Sequence, residues 1–328
     1  MKITVIGDGG WGTALSVLLG KNKFSVSLWG AFPAYVEELR KKRENIKFLP
    51  GIEIPPSVNI TSDLKEALQD TNLVVMAVPS QYMRQVARKI KKTGIKADYL
   101  SVAKGLEEST AKRMSEVIRE ELGAVRVAVL SGPNIAFEVA GGIPSAAVCV
   151  SRSRQLAEKI QDVFVTPTFR VYTSNDLLGV ELAGAFKNII AIACGISDGL
   201  GFGTNTKAAL LTRGLVEIAR LGVAMGAHYK TFSGLSGMGD LVTTCMNRKS
   251  RNRSLGEELS KGKKLNAVLG ASDMVVEGVK TTKIALKLAA KFKVLMPITH
   301  EVYKVLYENK KPEEALCSLM LRDKKPEL

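Results

Sequence analysis

The sequence predicts an α/β fold in two parts: a doubly wound parallel sheet over residues 1–176, then an all-helical part over 177–328. Three observations predict it. Short, β-branched apolar runs alternate with amphipathic stretches through the first half. The first of these runs ends directly in a glycine-rich turn that opens a helix. From about residue 176 the strand pattern stops and only helical periodicity continues.

The strand candidates, in order, are KITVIG (2–7), FSVSLWG (24–30), VNIT (58–61), NLVVMAVPS (72–80), DYLSVAKG (98–105), VRVAVLSGP (125–133), SAAVCVS (145–151) and FRVYTS (169–174). Several are apolar on both faces, as strands covered by helices on both sides must be. Helical patterns fall between them at 12–21, 33–43, 63–69, 81–92, 109–122 and 153–163. Ser62-Asp63 and Ser153 stand where N-caps are expected. In the second half, VELAGAFKNIIAIACGISDGL, TKAALLTRGLVEIARLGVAMG, SRNRSLGEELSKG, VVEGVKTTKIALKLAAKF, PITHEVYKVLYEN and PEEALCSLML all carry helical spacing. The boundary is expected near Ser174 to Leu178, and the last residues, DKKPEL, as a frayed tail.

At 328 residues the chain is long enough for two domains and a sizeable core. The apolar span before the first glycines is too short for a signal segment. No charge-free apolar run reaches the roughly 20 residues that a membrane span needs. The expected location is therefore the cytoplasm. The four cysteines, Cys149, Cys194, Cys245 and Cys317, are too far apart for a CxxC pair, and there are only two histidines, His228 and His300. No metal site is expected from that set. The formal net charge of +15 suits anionic partners, a phosphorylated metabolite or a nucleic acid, and equally a lysine-rich solvated surface.

The glycine turn reads Gly7-Asp8-Gly9-Gly10-Trp11-Gly12, between the first strand and a helix from Thr13. GxGxxG in that setting, at the start of a strand–helix alternation, is the phosphate-binding turn of a Rossmann-type, dinucleotide-binding sheet. Gly7 permits the tight turn. Gly9 lets the backbone approach a pyrophosphate, and Gly12 lets helix pack on strand. The N–H groups at the helix start are donors for the anion. An acid about 20 residues on is expected to hold the ribose 2′-hydroxyl of NAD. That place reads Trp29-Gly30-Ala31-Phe32, with neither an acid nor an arginine for the 2′-phosphate of NADP. The turn therefore calls for NAD or NADP without choosing between them.

GAFKNIIAIACG, residues 184–195, contains a single charge, Lys187. Its helical neighbours are Ala183, Gly184, Ile190 and Ala191, with Cys194 a turn further, and none is an acid. The lysine either snorkels to solvent or points into a site that needs it. Lysine among small apolar residues is desolvated, which lowers its pKa toward a range useful for proton transfer.

GAFKNIIAIACGISDGLGFGTN (184–205) closely resembles the signature of the bacterial type of NAD(P)-dependent glycerol-3-phosphate dehydrogenase. GDGGWGTAL (7–15), VAKGLE (102–107), LSGPN (130–134), GLSGMGDLVTTC (234–245), RKSRNRSLG (248–256) and VVEGVKTT (275–282) match further blocks of that family in order, so the resemblance spans residues 2 to about 320. It implies reversible reduction of dihydroxyacetone phosphate to sn-glycerol 3-phosphate by NAD(P)H. It also implies a Rossmann domain followed by a helical one, commonly in a homodimer, and a product that is the backbone of glycerophospholipids.

The same resemblance assigns Lys187 as proton donor and acceptor. It puts Lys104 on both cofactor and substrate, Gly132 and Asn134 on substrate, and Ala136 on cofactor. Asp240 becomes a substrate-binding carboxylate; from the residues alone the rival reading is a helix N-cap after a glycine turn, and the two roles are compatible. Ser250, Arg251 and Asn252 hold the substrate phosphate, with Arg251 also reaching the cofactor, as a fork of donors, a hydroxyl and an amide suit a phosphate dianion. Gly7, Gly9, Gly10, Trp11, Gly12, Val275 and Glu277 complete the cofactor contacts. Three positions depart from the family: Gly10 where a serine is usual, Asn134 where serine or threonine is usual, and Asp8 where an alanine is usual. The Asp8 carboxylate is expected to point away from the pyrophosphate.

The basic charge motivates one reading of another class, a non-catalytic dinucleotide-binding or nucleic-acid-binding module. Arg248, Lys249, Arg251 and Arg253 cluster around the Ser-Arg-Asn trio. The cluster is short and lacks the aromatic residues of a single-strand binder, so no nucleic-acid partner is expected.

Overall fold

Ile3, Val5 and Ile6 make the N-terminal run a central strand, because each is fully buried and together they supply apolar groups to both faces. The computed structural model describes residues 1–271, 275–324 and 326–327. The chain divides into two compact units, Met1–Glu181 and Leu182–Leu328, and the division falls within the helix Leu177–Gly199.

In the first unit the strands are β1 (Lys2–Ile6), β2 (Ser25–Trp29), β3 (Glu44–Asn45), β4 (Leu49–Glu53), β5 (Val58–Thr61), β6 (Leu73–Met76), β7 (Asp98–Ser101), β8 (Val127–Ser131), β9 (Ser145–Ser151) and β10 (Phe169–Ser174). Eight form one sheet in the order β10-β9-β8-β7-β6-β1-β2-β5. Ile3, Val5, Leu73 and Val75 face one apolar cluster, with Ala14, Leu15 and Leu18 of the helix Gly10–Lys21 and Leu156 and Ile160 of Arg154–Phe164. Ile6, Val74 and Met76 face another, with Met83, Val86 and Ile90 of Met83–Lys91 and Met114, Val117 and Ile118 of Met114–Leu122. This is the doubly wound arrangement, and the chain reverses its direction across the sheet at β1. Asp63 and Ser153 are the N-caps, accepting from Lys65 N at 2.8 Å and Leu156 N at 3.3 Å.

Three local features differ from the sequence reading. The sheet is not wholly parallel: β9 runs antiparallel to β8, while β10 is parallel to β9. Between β8 and β9 lies only the short helix Ala136–Ala140, which rises about 8 Å and cannot carry the chain back across the sheet. Secondly, β3 and β4 form a small antiparallel pair, a hairpin whose LPGIE strand lacks the alternation by which strands are recognised. Thirdly, the helix placed at 109–122 starts at Met114. Ala111 has a positive φ of 57°, and Arg113 pairs with Leu106 as an isolated bridge before the helix opens. Glu116 then reaches back over the helix start, its Oε2 accepting from Arg113 N at 2.9 Å and its Oε1 from Arg113 Nη2 at 2.7 Å.

In the second unit every regular element among the described residues is a helix. Leu177–Gly199 is apolar and long enough to cross a membrane, but 94% of its apolar window is buried within the protein. It is a core helix. Arg251–Ser260 crosses it at backbone contact: a Cβ on Gly195 would run into Arg253 O, and one on Gly256 into Ile192 O.

Glu217, 3% exposed on the helix Thr204–Ala224, caps a different helix from outside. Pro297–Tyr307 has no side-chain cap of its own, and Ile298 N and Thr299 N donate to Glu217 at 2.7 and 3.2 Å. Burial outweighs these bonds and pushes the Glu217 carboxyl up to about 7. An acid whose pKa is higher folded than unfolded binds its proton better in the folded state, so stability falls as pH rises through that interval. Wild-type Tm is therefore expected to drop between about pH 4.5 and pH 7 by more than that of Glu217→Gln, measured by thermal scans across that range. Glu217→Ala strands two buried N–H groups and is expected to cost about 2–4 kcal/mol near pH 4.5 and less near pH 7, readable in denaturant unfolding.

Candidate active site

The two units each bring a set of the singled-out residues together. In the first, Gly7 follows β1 with φ 117°, and a Cβ there would lie 2.9 Å from Ala77 C and O beyond β6. Only glycine satisfies both conditions. A Cβ on Gly12 would run into Gly7 O, so the helix start can sit this close to the strand end only with glycine. Nothing lies within 4 Å of a Cβ built on Gly9, which leaves open space in front of the turn. The helix Gly10–Lys21 opens at Gly9 without a side-chain cap. Its first N–H donors and that open space fit a pyrophosphate. Trp11 is half-buried and packs against the sheet core. The glycine at position 10 has a local cause as well: a Cβ would come within 2.6 Å of Phe48 O in the β3–β4 hairpin. The hairpin that sequence periodicity missed thus excludes the serine usual there.

Asp8 turns its carboxylate toward the end of β2, where a Cβ on Gly30 would fall on Oδ2. Burial raises its pKa. Lys104 lies three residues past β7, and its ammonium donates to Gly132 O at 2.9 Å. Gly132, directly after β8, has φ 145°. Asn134 Nδ2 donates to Ala146 O at 2.9 Å, and Ala136 begins the short helix Ala136–Ala140. Lys104, Gly132 and Asn134 thus gather past the carboxyl ends of β7 and β8, the edge at which open α/β sheets bind ligands.

In the second unit Lys187 is 5% exposed and Asp240 1%. The Lys187 ammonium donates to Asp240 Oδ1 at 2.6 Å and to Thr244 Oγ1. The lysine does not snorkel. The acid missing among its helical neighbours comes from another helix, and it offsets the cost of burying the ammonium. Asp240 is the first residue of Asp240–Met246 and follows the π-helical turn Leu235–Gly239; its carboxylate points to Lys187, and Gly239 is the N-cap. Thr244 sits one turn along the same helix face. It was not singled out from sequence, although its i, i+4 spacing from Asp240 would have found it.

Ser250 caps the helix Arg251–Ser260, its Oγ accepting from Arg253 N at 3.4 Å. Arg251 is exposed, and its Nη1 donates to Val275 O at 2.8 Å. Glu277 opens the helix Glu277–Phe292. Asn252 is 8% exposed and bridges two elements: Nδ2 donates to Asn188 Oδ1 at 3.0 Å, and Oδ1 accepts from Gly278 N at 2.9 Å. Asn188, beside Lys187, is a second residue that sequence reasoning missed. Arg253 departs from the basic cluster in which its sequence position put it. It is 6% exposed and pairs with Asp198 at 2.6 Å and Glu257 at 3.0 Å, so it locks the helix crossing.

A dinucleotide-binding turn, and a buried lysine held by a carboxylate near an exposed arginine helix, are the parts of a nucleotide-dependent oxidoreductase. The comparisons with known proteins agree in detail. Residues 2–157 match the family description NAD-dependent glycerol-3-phosphate dehydrogenase N-terminus, and residues 176–317 match the C-terminus of the same family. The glycerol-3-phosphate dehydrogenase [NAD(P)+] of Chlorobium phaeobacteroides is 49% identical over 100% of this chain and 99% of its own. That of Moorella thermoacetica is 50% identical over 100% and 98%. The crystal structure of glycerol-3-phosphate dehydrogenase from Coxiella burnetii superposes with a TM-score of 0.94 at 37% identity, covering 98% of this chain and 99% of that one. With both halves matched and the full length aligned, the chain belongs to the NAD-dependent glycerol-3-phosphate dehydrogenase family.

Proposed function

We propose that the protein interconverts dihydroxyacetone phosphate and sn-glycerol 3-phosphate, with Lys187 moving the proton. The nicotinamide cofactor, NAD or NADP, supplies or takes the hydride. Hydride arriving at the C2 carbonyl turns it into an alkoxide, which becomes an alcohol only by gaining a proton. The Lys187 ammonium carries that proton, and Asp240 and Thr244 hold it in one orientation, largely shielded from solvent. In the reverse direction neutral Lys187 takes the hydroxyl proton as hydride leaves. We assign Lys104, Gly132, Asn134 and Asp240 to the substrate, and Ser250, Arg251 and Asn252 to its phosphate. Gly7, Gly9, Gly10, Trp11, Gly12, Lys104, Ala136, Arg251, Val275 and Glu277 are assigned to the cofactor. The carrying observation is the buried Lys187–Asp240 pair, whose lysine is the single charge of residues 184–195.

The structure qualifies two of these assignments. Ser250 already caps its helix, and Asn252 already uses both ends of its amide. Their contribution to phosphate binding is therefore to fix the helix start that presents Arg251, with any direct contact added to those bonds. A cytoplasmic homodimer that feeds glycerophospholipid synthesis completes the reading, and that part rests on the sequence resemblance. The test is loss of reduced-nicotinamide absorbance on adding dihydroxyacetone phosphate, with NADH and NADPH in parallel. Oxidation of either supports the reading; a folded protein that oxidises neither overturns it.

A further inference from the structure

Asp8 stands in the glycine turn, and the reaction above gives it no task. Its Oδ2 is buried and accepts no hydrogen bond. Its backbone is pinned, since Asn45 Nδ2 donates to Asp8 O at 2.8 Å and Thr13 Oγ1 donates to the same oxygen at 3.4 Å. Tyr35 lies close enough to feel the carboxylate: its phenol is pushed up to about 12, by burial first and by the Asp8 charge second. A buried carboxylate oxygen without a donor is costly, and the molecule retains it.

The position of this oxygen supplies its purpose. A Cβ on Gly30 would fall on Oδ2, so the carboxylate fills the space over the residue that follows β2. That is where a dinucleotide-binding sheet expects an acid for the ribose 2′-hydroxyl, and where this chain has none of its own. The groups that would favour a 2′-phosphate there are engaged elsewhere. Arg40 donates to Ile60 O at 2.9 and 3.1 Å, and Arg43 to Ile54 O at 3.2 Å and Val58 O at 3.0 Å. Lys41 and Lys42 pair with Glu37 and Glu38.

We propose that Asp8 determines the dinucleotide specificity of this chain: its carboxylate, carried by the glycine turn instead of by β2, accepts the ribose 2′-hydroxyl and selects NADH over NADPH. The proposal rests on the dehydrogenase reading. Oδ2 is closed off as it stands, so the ribose hydroxyl gives the carboxylate its missing donor when the side chain turns outward to meet it. A 2′-phosphate offers no comparable donor and brings like charge against a buried anion, which disfavours NADPH twice over.

The test is binding without substrate: fluorescence titration of NADH and NADPH into the wild-type protein, Asp8→Asn and Asp8→Ala, with apo melting scans of each. The wild type is expected to bind NADH at least about 10- to 100-fold more tightly than NADPH, the range of one hydrogen bond to a charged acceptor. Asp8→Ala is expected to weaken NADH by a similar factor while leaving NADPH unchanged or tighter. Asp8→Asn, which keeps the shape and removes the charge, is expected to tighten NADPH and to raise the apo Tm. Equal wild-type affinities overturn the proposal, as does an equal change for both nucleotides in the variants. Equal affinities with active turnover would remove Asp8 alone and leave the dehydrogenase reading standing; a folded wild type that binds neither nucleotide removes both.

Discussion

Lys187→Met is expected to lower kcat for dihydroxyacetone phosphate reduction by about 1,000-fold, within the range that a positioned acid contributes, with NADH affinity unchanged. The loss follows from chemistry and enclosure together. Lys187 is 5% exposed, so water is a poor substitute for its proton. The substitution also has a structural cost. Asp240 is 1% exposed and keeps its charge after the ammonium is gone, and an ion pair broken on one side costs about 3–5 kcal/mol. Loss of activity in the single variant therefore mixes chemistry with stability. Lys187→Met combined with Asp240→Asn separates them: the double variant is expected to recover most of the lost Tm and none of the lost turnover. Recovery of turnover along with Tm would show that Lys187 only holds the helices together. Near-normal turnover in the single variant would end the catalytic assignment outright.

The sheet was legible because its strands obey simple patterns. VNIT, SAAVCVS and FRVYTS become β5, β9 and β10 with unchanged ends. Strand direction was not legible at β9, because alternation counts elements and says nothing of how short a connection is. The LPGIE strand and its partner were missed because a two-strand hairpin carrying proline and glycine has no period to detect, yet its Phe48 carbonyl decides the residue at position 10. In the glycine turn Gly7 and Gly12 were legible, since each answers a steric demand of the turn itself, whereas Gly9 faces open space and Gly10 answers the hairpin. The surroundings of Lys187 were not. Periodicity lists neighbours on one helix, and Asp240 arrives from 53 residues away. The apolar setting alone implied a desolvated lysine seeking a partner or a substrate; the fold supplies both a carboxylate and a hydroxyl. Arg253 shows the converse error. A run of four basic residues resembles one patch, but successive helical positions face different ways, and position 253 faces Asp198 while position 251 faces outward.

That outward-facing arginine carries the second large effect. Arg251→Ala is expected to raise KM for dihydroxyacetone phosphate by about 100-fold, since a guanidinium–phosphate pair is a charge-assisted, two-point contact, while the apo Tm moves little. Arg251 is the first residue of its helix, and Nη1 goes to Val275 O at 2.8 Å, which fixes the plane of a group with five N–H donors. Arg251→Lys keeps the charge and loses the fork, so its KM is expected between those of the wild type and the alanine variant. The decisive comparison uses unphosphorylated dihydroxyacetone, which has the same ketone and lacks the phosphate. If Arg251 grips the phosphate, then at saturating cofactor kcat/KM falls far more for the phosphorylated ketone than for the unphosphorylated one, and discrimination between the two ketones falls with it. An equal fall for both ketones would instead place Arg251 against the cofactor or the reacting carbon, and phosphate recognition would pass to other donors in the site.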